Sequence, residues 1–174
     1  PVKMSKRSDN VYYLDDLIED VGADVTQFFF VMRSVNTHLD FDIALAKEES
    51  DKNPVFYLQY AHARISSILR NAKEVFPGYG EDTAPDMNQL KTPEELSLMK
   101  VLTVFPETVV SAAATYEPHK VITYLNEVAE NYHRFYHNNR VIDAEARELS
   151  YARLKLCEAA KAVLKNGFDI IGIS

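Results

Sequence analysis

Cysteine occurs once in these 174 residues, glycine five times and proline seven times. The lone Cys157 rules out an internal disulfide and suits a reducing, cytoplasmic setting. So few glycines leave no Gly-rich phosphate loop behind a buried strand. Few prolines beside 47% apolar residues favour a folded chain over a disordered one. The longest apolar run, Phe28 to Met32, is far too short to span a membrane, and no signal peptide opens the chain. Basic residues are outnumbered 19 to 26, for a net charge of −7, which excludes a strong sequence-independent grip on DNA or any other nucleic acid. Selective binding remains open where basic and aromatic groups share one face.

Strand signals are nearly missing, and a period of 3.6 residues runs through most of the chain. Short helices are expected over residues 14–21, capped by Asp15 or Asp16 and closed by Gly22, then over 23–34 and 43–50. Asn53-Pro54 is a capping residue before proline at the first helical position, so a long helix should run to about Val75. Residues 76–91, punctuated by Pro77-Gly78, Gly80 and Pro85, read as a surface loop. Thr92-Pro93-Glu94-Glu95 is a capping box, which starts a helix reaching about Tyr116 with a kink at Pro106. Pro118 opens another to about Asn139. The last covers 145–165 and stops at Asn166-Gly167. The expectation is an all-α helical bundle over 53–174, preceded by short helices within 1–52.

On the 53–75 helix, Leu58, Ala61, Ile65, Ile68, Leu69 and Ala72 share the arc that should face the core. Tyr60 and Arg70 lie about 140° from its centre, and Arg64 sits at its margin. Aromatic faces stack on unpaired bases, and Arg supplies phosphate contacts or base-edge hydrogen bonds. On the 118–139 helix, Val121, Ile122, Leu125, Val128, Ala129, Tyr132 and Tyr136 make the apolar arc, which reads Tyr136 as a core or rim residue. Cys157 reads as a small core hydrophobe. His62, at the edge of its arc, reads as a hydrogen-bonded structural histidine. Asp40 and Asp42 read as capping and turn residues. His133 and His137 stand four apart, but no HExxH pattern or third ligand accompanies them, so no metal site is expected.

Four strings carry a family resemblance. The chain begins Pro1-Val2-Lys3-Met4-Ser5-Lys6-Arg7-Ser8, containing the KMSKR pattern. Next come Leu39-Asp40-Phe41-Asp42 and Leu45-Ala46-Lys47. Then follows Asn53-Pro54-Val55-Phe56-Tyr57-Leu58-Gln59-Tyr60-Ala61-His62-Ala63-Arg64, an NPVxYxQYAHAR string. Phe135-Tyr136-His137-Asn138-Asn139-Arg140-Val141, and Ala152-Arg153-Leu154 leading to Val163-Leu164-Lys165-Asn166-Gly167, agree with them. Together these resemble the arginyl-tRNA synthetases, class I aminoacyl-tRNA synthetases, over essentially the whole chain.

The resemblance implies a bundle of the DALR-type anticodon-binding kind over 53–174, with the KMSKR loop and a stem-contact region in 1–52. It implies a parent enzyme that uses ATP, with Mg²⁺, to attach L-arginine to its tRNA. Lys3 and Lys6 would be its catalytic charges, and Lys3, Met4, Ser5 and Lys6 would line the ATP phosphates, where developing negative charge needs mobile cations. Asp9 stands where the family commonly has Gly before Asn10, which stiffens the hinge after the loop. Tyr60, Arg64, Arg70 and Tyr136 would meet the anticodon loop of arginine tRNA, a role for Tyr136 that differs from its place on the apolar arc. None of the five histidines sits in an HxGH motif. The chain therefore reads as a C-terminal piece of the enzyme, trimmed at both ends and inactive alone, whose partner is the catalytic domain upstream. Cysteinyl or methionyl synthetases on the same fold, and a stand-alone helical protein-binding module, are the competing readings.

Overall fold

The structure, a computed structural model, describes residues 13–80 and 84–174; the KMSKR residues lie outside them. The described residues form helices and no strands: α1 (Leu14–Val21), α2 (Ala23–Val31), α3 (Ile43–Ala46), α4 (Pro54–Val75), a 3₁₀ turn (Met87–Gln89), α5 (Pro93–Thr103), α6 (Phe105–Thr115), α7 (His119–Asn138) and α8 (Arg147–Ile171). α4, α7 and α8 pack on one another, α5 lies against α7 and α8, α6 covers α7, and α2 touches α8. Leu58, Ile65, Leu125, Tyr132, Phe135, Leu154, Leu164 and Phe168 fill the centre. The all-α bundle expected from periodicity is therefore the architecture observed.

The N-terminal capping signals act as the sequence suggests, with one exception. Asn53 is buried, and its Oδ1 accepts the Val55 N–H at 3.0 Å to cap α4. Its Nδ2 donates to the carbonyls of Ala46 and Glu48 at 3.1 and 3.0 Å, welding the end of α3 to the start of α4. Asp42 caps α3 through the Leu45 N–H. At α1 the capping residue is Tyr13, and Asp16 serves it by accepting the Tyr13 N–H at 3.4 Å. Gly22 closes α1 at φ +85°.

Four boundaries differ from expectation. α2 stops at Val31, short of Ser34. α3 ends at Ala46 rather than Ser50. Asn53 draws off the carbonyls that would continue it, and Glu48 and Glu49 would set negative charge at the negative end of a helix dipole. The helix expected over 92–116 is broken at Val104, leaving Pro106 in the first turn of α6, where its missing N–H costs nothing. α8 runs straight through Asn166-Gly167 and ends at Gly172, whose φ is +75°. Gly167 serves packing instead: a Cβ there would collide with Leu125 Cδ2, so its bare backbone lets α7 and α8 approach.

One buried ion pair locks three helices. Glu95 is fully buried and closes the α5 capping box by accepting the Thr92 N–H at 2.8 Å and the Lys91 N–H at 2.7 Å. Arg153 of α8 donates Nε to Glu95 Oε1 at 2.6 Å, Nη1 to the Arg140 carbonyl at 2.9 Å and Nη2 to Asn139 Oδ1 at 3.1 Å. Burial pushes the Glu95 carboxyl up, but the Thr92 N–H, Arg153 and the Lys91 N–H outweigh it and hold it below its ordinary value. Cys157 is buried in the core as expected, and burial pushes its thiol up to about 12. Pro93–Thr115, at mean hydropathy 1.4, is long and apolar enough by composition to cross a membrane. Here it is two helices broken at Val104, with Glu95 paired inside it.

Candidate nucleic-acid interface

Positions 56, 60 and 64 of α4 fall one turn apart and form a single stripe, Phe56-Tyr60-Arg64, beside the seam with α7. The Phe56 and Tyr60 rings lie within 11° of parallel, their centroids 6.2 Å apart. From α7, His133 lies beside Tyr60 at 6.1 Å and 23°. Arg64 Nη1 donates to Tyr60 Oη at 3.0 Å. The Arg64 guanidinium also sits 4.4 Å from the Tyr136 ring centre and 5.5 Å from that of Tyr60, a cation shared by two aromatic faces. Tyr136 in turn lies near-parallel to Tyr132 at 6.1 Å. The structure thus brings three of the four expected tRNA-facing residues, Tyr60, Arg64 and Tyr136, into one cluster.

Beneath this surface the chemistry is apolar. His133 is wedged among Tyr57, Tyr60 and Tyr132, and its Nε2 is buried with no hydrogen-bond partner among the described residues. Burial, and then the positive charge of Arg64, hold its pKa below the ordinary 6.5, so the ring is neutral near pH 7. Tyr132 Oη is likewise buried and unpartnered, and burial pushes its pKa up. Tyr60 keeps 45% of its surface exposed, while Tyr136 is half-buried and packed against the core. Tyr136 packs inward as its place on the apolar arc implies, and Arg64 lies over its ring. The arrangement offers flat rings fixed in orientation, with a cation whose direction is set by two tyrosines, which suits unpaired bases and their phosphates.

Arg70 stands apart. It is exposed on α4, about 9 Å along the axis from Arg64, and nothing among the described residues joins it to the cluster. His62 differs from its expected role. Its Nε2 is buried without a hydrogen-bond partner among the described residues, and the ring packs edge-on against Phe168 at 5.9 Å. Burial and then Lys161 and Lys165 hold its pKa below 6.5. No group of three or more metal-binding side chains occurs among the described residues. Sequence reasoning passed over Phe56 and His133. The one-turn spacing of Phe56, Tyr60 and Arg64 carried the signal for the first, while the second required knowing which face of α7 meets α4.

The all-α bundle agrees with what comparison shows. The profile of the DALR anticodon binding domain matches residues 58–174, and the chain belongs to that family. It is similar to the arginine–tRNA ligase of Salinibacter ruber, 55% identical over the whole chain and 30% of that protein. The arginine–tRNA ligase of Listeria welshimeri is 49% identical over 99% of the chain and 31% of its own length. Among solved structures, the Thermus thermophilus arginyl-tRNA synthetase superposes with a TM-score of 0.72 at 31% identity, covering 97% of this chain and 28% of that one. The chain thus spans about a third of the length of the relatives it matches.

Proposed function

We propose that this chain is the anticodon-reading part of an arginyl-tRNA synthetase, in which the α4–α7 face receives the anticodon loop of arginine tRNA. The reading is carried by the cluster of Tyr60, Arg64 and Tyr136, whose rings and cation are ordered before any RNA arrives. Preordering limits the entropy lost on binding. Tyr60 stacks on an unpaired base, Arg64 is held by Tyr60 and Tyr136 so that its remaining N–H groups face base edges or phosphate, and Arg70 adds a separate phosphate contact. Similarity to arginine–tRNA ligases along the full chain supports arginine tRNA over the tRNAs of cysteine or methionine.

In the parent enzyme, a catalytic domain on the same chain uses ATP with Mg²⁺ to activate L-arginine. Lys3 and Lys6, with Met4 and Ser5, belong to its ATP-facing loop, and Lys6 neutralises charge in the transition state. The division at residue 53 then separates the loop and stem-contact region from the reading domain. We place the enzyme in the cytoplasm, acting on neither membrane nor DNA.

The test is tRNA affinity. Tyr60→Ala should weaken binding of an arginine tRNA by about 1–3 kcal/mol, the range for one base–aromatic stack, while Tyr60→Phe should lose much less. Arg64→Ala and Arg70→Ala should weaken it too, and whichever meets phosphate should flatten the salt dependence. Unchanged affinity in Tyr60→Ala, with a large drop in melting temperature, would make Tyr60 a packing residue and remove the proposal.

A further inference from the structure

Phe56 differs from its aromatic neighbours along the α4–α7 seam. Tyr57 and Tyr136 are partly exposed and pack against the core, whereas Phe56, also partly exposed, is not among the residues packed on it. Its recorded ring neighbour is Tyr60, with the two planes 11° apart. A phenyl ring has no polar edge to satisfy with water, so the part of Phe56 that stays exposed beside Tyr60 is apolar surface left uncovered. The same stripe continues to Arg64, so along α4 the order is phenyl, phenol, guanidinium, each one helical turn from the next.

We infer that Phe56 is a second stacking position, taking the unpaired base next to the one on Tyr60, so that the face holds two successive bases of a single strand. This rests on the proposed anticodon reading and extends it from one base to two. The direction follows from the stripe: the strand runs along α4, with the second base toward the α3–α4 junction at Asn53 and the first beside the Arg64 cation. Phe56 offers no hydrogen-bonding atom in its side chain, so its subsite accepts any base with a π face, and discrimination falls to the Tyr60, Arg64 and Tyr136 end.

The test uses the 174-residue chain and an arginine tRNA anticodon stem-loop carrying 2-aminopurine at one loop position at a time. Phe56→Ala should weaken binding roughly five- to hundredfold, the affinity equivalent of one lost stack. It should restore fluorescence at a loop position adjacent to the one restored by Tyr60→Ala. Phe56→Tyr should bind like the parent, Phe56→Leu should bind like Phe56→Ala, and melting temperatures should stay together, since the side chain lies off the core. If Tyr60→Ala weakens binding but Phe56→Ala changes neither affinity nor fluorescence, the second position is refuted and the anticodon reading stands. Parent-like binding by Phe56→Leu would also refute it, by showing a merely apolar contact. If neither Tyr60→Ala nor Phe56→Ala affects binding, the anticodon site itself falls.

Discussion

Removing the Arg153 side chain isolates the energetics of the α5–α7–α8 lock. Arg153→Ala deletes three donors at once: those to Glu95, to the Arg140 carbonyl and to Asn139. Stripping one partner from a buried ion pair costs roughly 3–5 kcal/mol, because the other charge stays buried. Glu95 keeps the backbone N–H groups of Lys91 and Thr92, which still satisfy part of its charge, so the lower end, about 3–4 kcal/mol, is expected. For a domain of this size each kcal/mol moves the melting temperature by about 2–4 °C, giving a fall of roughly 6–16 °C. Urea denaturation followed by circular dichroism gives the free energy, and a thermal melt gives the temperature. Arg153→Lys keeps a charge but loses the three-way fork, and should fall between parent and alanine variant. Glu95→Met with Arg153→Met should recover part of the loss, since no charge is then left unpaired. An Arg153→Ala variant within about 0.5 kcal/mol of the parent would show that the pair does not lock the helices, against the cost expected for such a deletion.

Other perturbations test the core and its protonation. Leu125→Ala should cost about 2–5 kcal/mol by urea denaturation, because its fully buried side chain leaves a cavity between α7 and α8. Gly167→Ala alone gains about 1 kcal/mol of helix propensity but forces Leu125 aside at about 1–3 kcal/mol, for a net loss. In the Leu125→Ala background the same change should stabilise, since the new methyl enters vacated space; a loss there would disprove the close approach. Stability should also fall with acid in two steps. His62 and His133 are held below 6.5 in the fold, so the unfolded chain binds their protons first and stability declines as pH drops through about 6.5. Glu95, held below 4.5, adds a second decline as pH falls through that value toward its lower folded one. A urea midpoint constant from pH 8 to about 5 would refute the histidine step.

Much of this architecture was legible in the residues because its signals are local. Asn53-Pro54 and Thr92-Pro93-Glu94-Glu95 mark helix starts through hydrogen bonds that reach two or three residues, and both caps form as written. The core arc of α4 likewise follows from the helical period: five of its six expected residues are buried and Leu69 is partly so. What stayed hidden depends on partners distant in sequence. Asn166-Gly167 carries the residues of a helix end, yet the space it leaves is measured by Leu125, on another helix. The shortness of α3 depends on Asn53 reaching back across a turn. At the candidate site, Tyr60 and Arg64 stood out for their company on a polar face. His133 could be placed only once α7 was laid beside α4, and Arg70 only once its isolation from that seam was visible.

Two of the three buried polar atoms without partners among the described residues, Tyr132 Oη and His133 Nε2, belong to consecutive residues directly under the stripe of rings; the third, His62 Nε2, lies beside Phe168. Each withholds about 1–3 kcal/mol that a satisfied group would contribute. Two of the three shortfalls thus fall at one seam. Local opening of the α4–α7 seam there gives up fewer hydrogen bonds than opening at the Glu95–Arg153 pair, where the buried charges are fully partnered. Small rearrangements along that seam can then proceed while the Glu95–Arg153 lock keeps α5 and α8 in place.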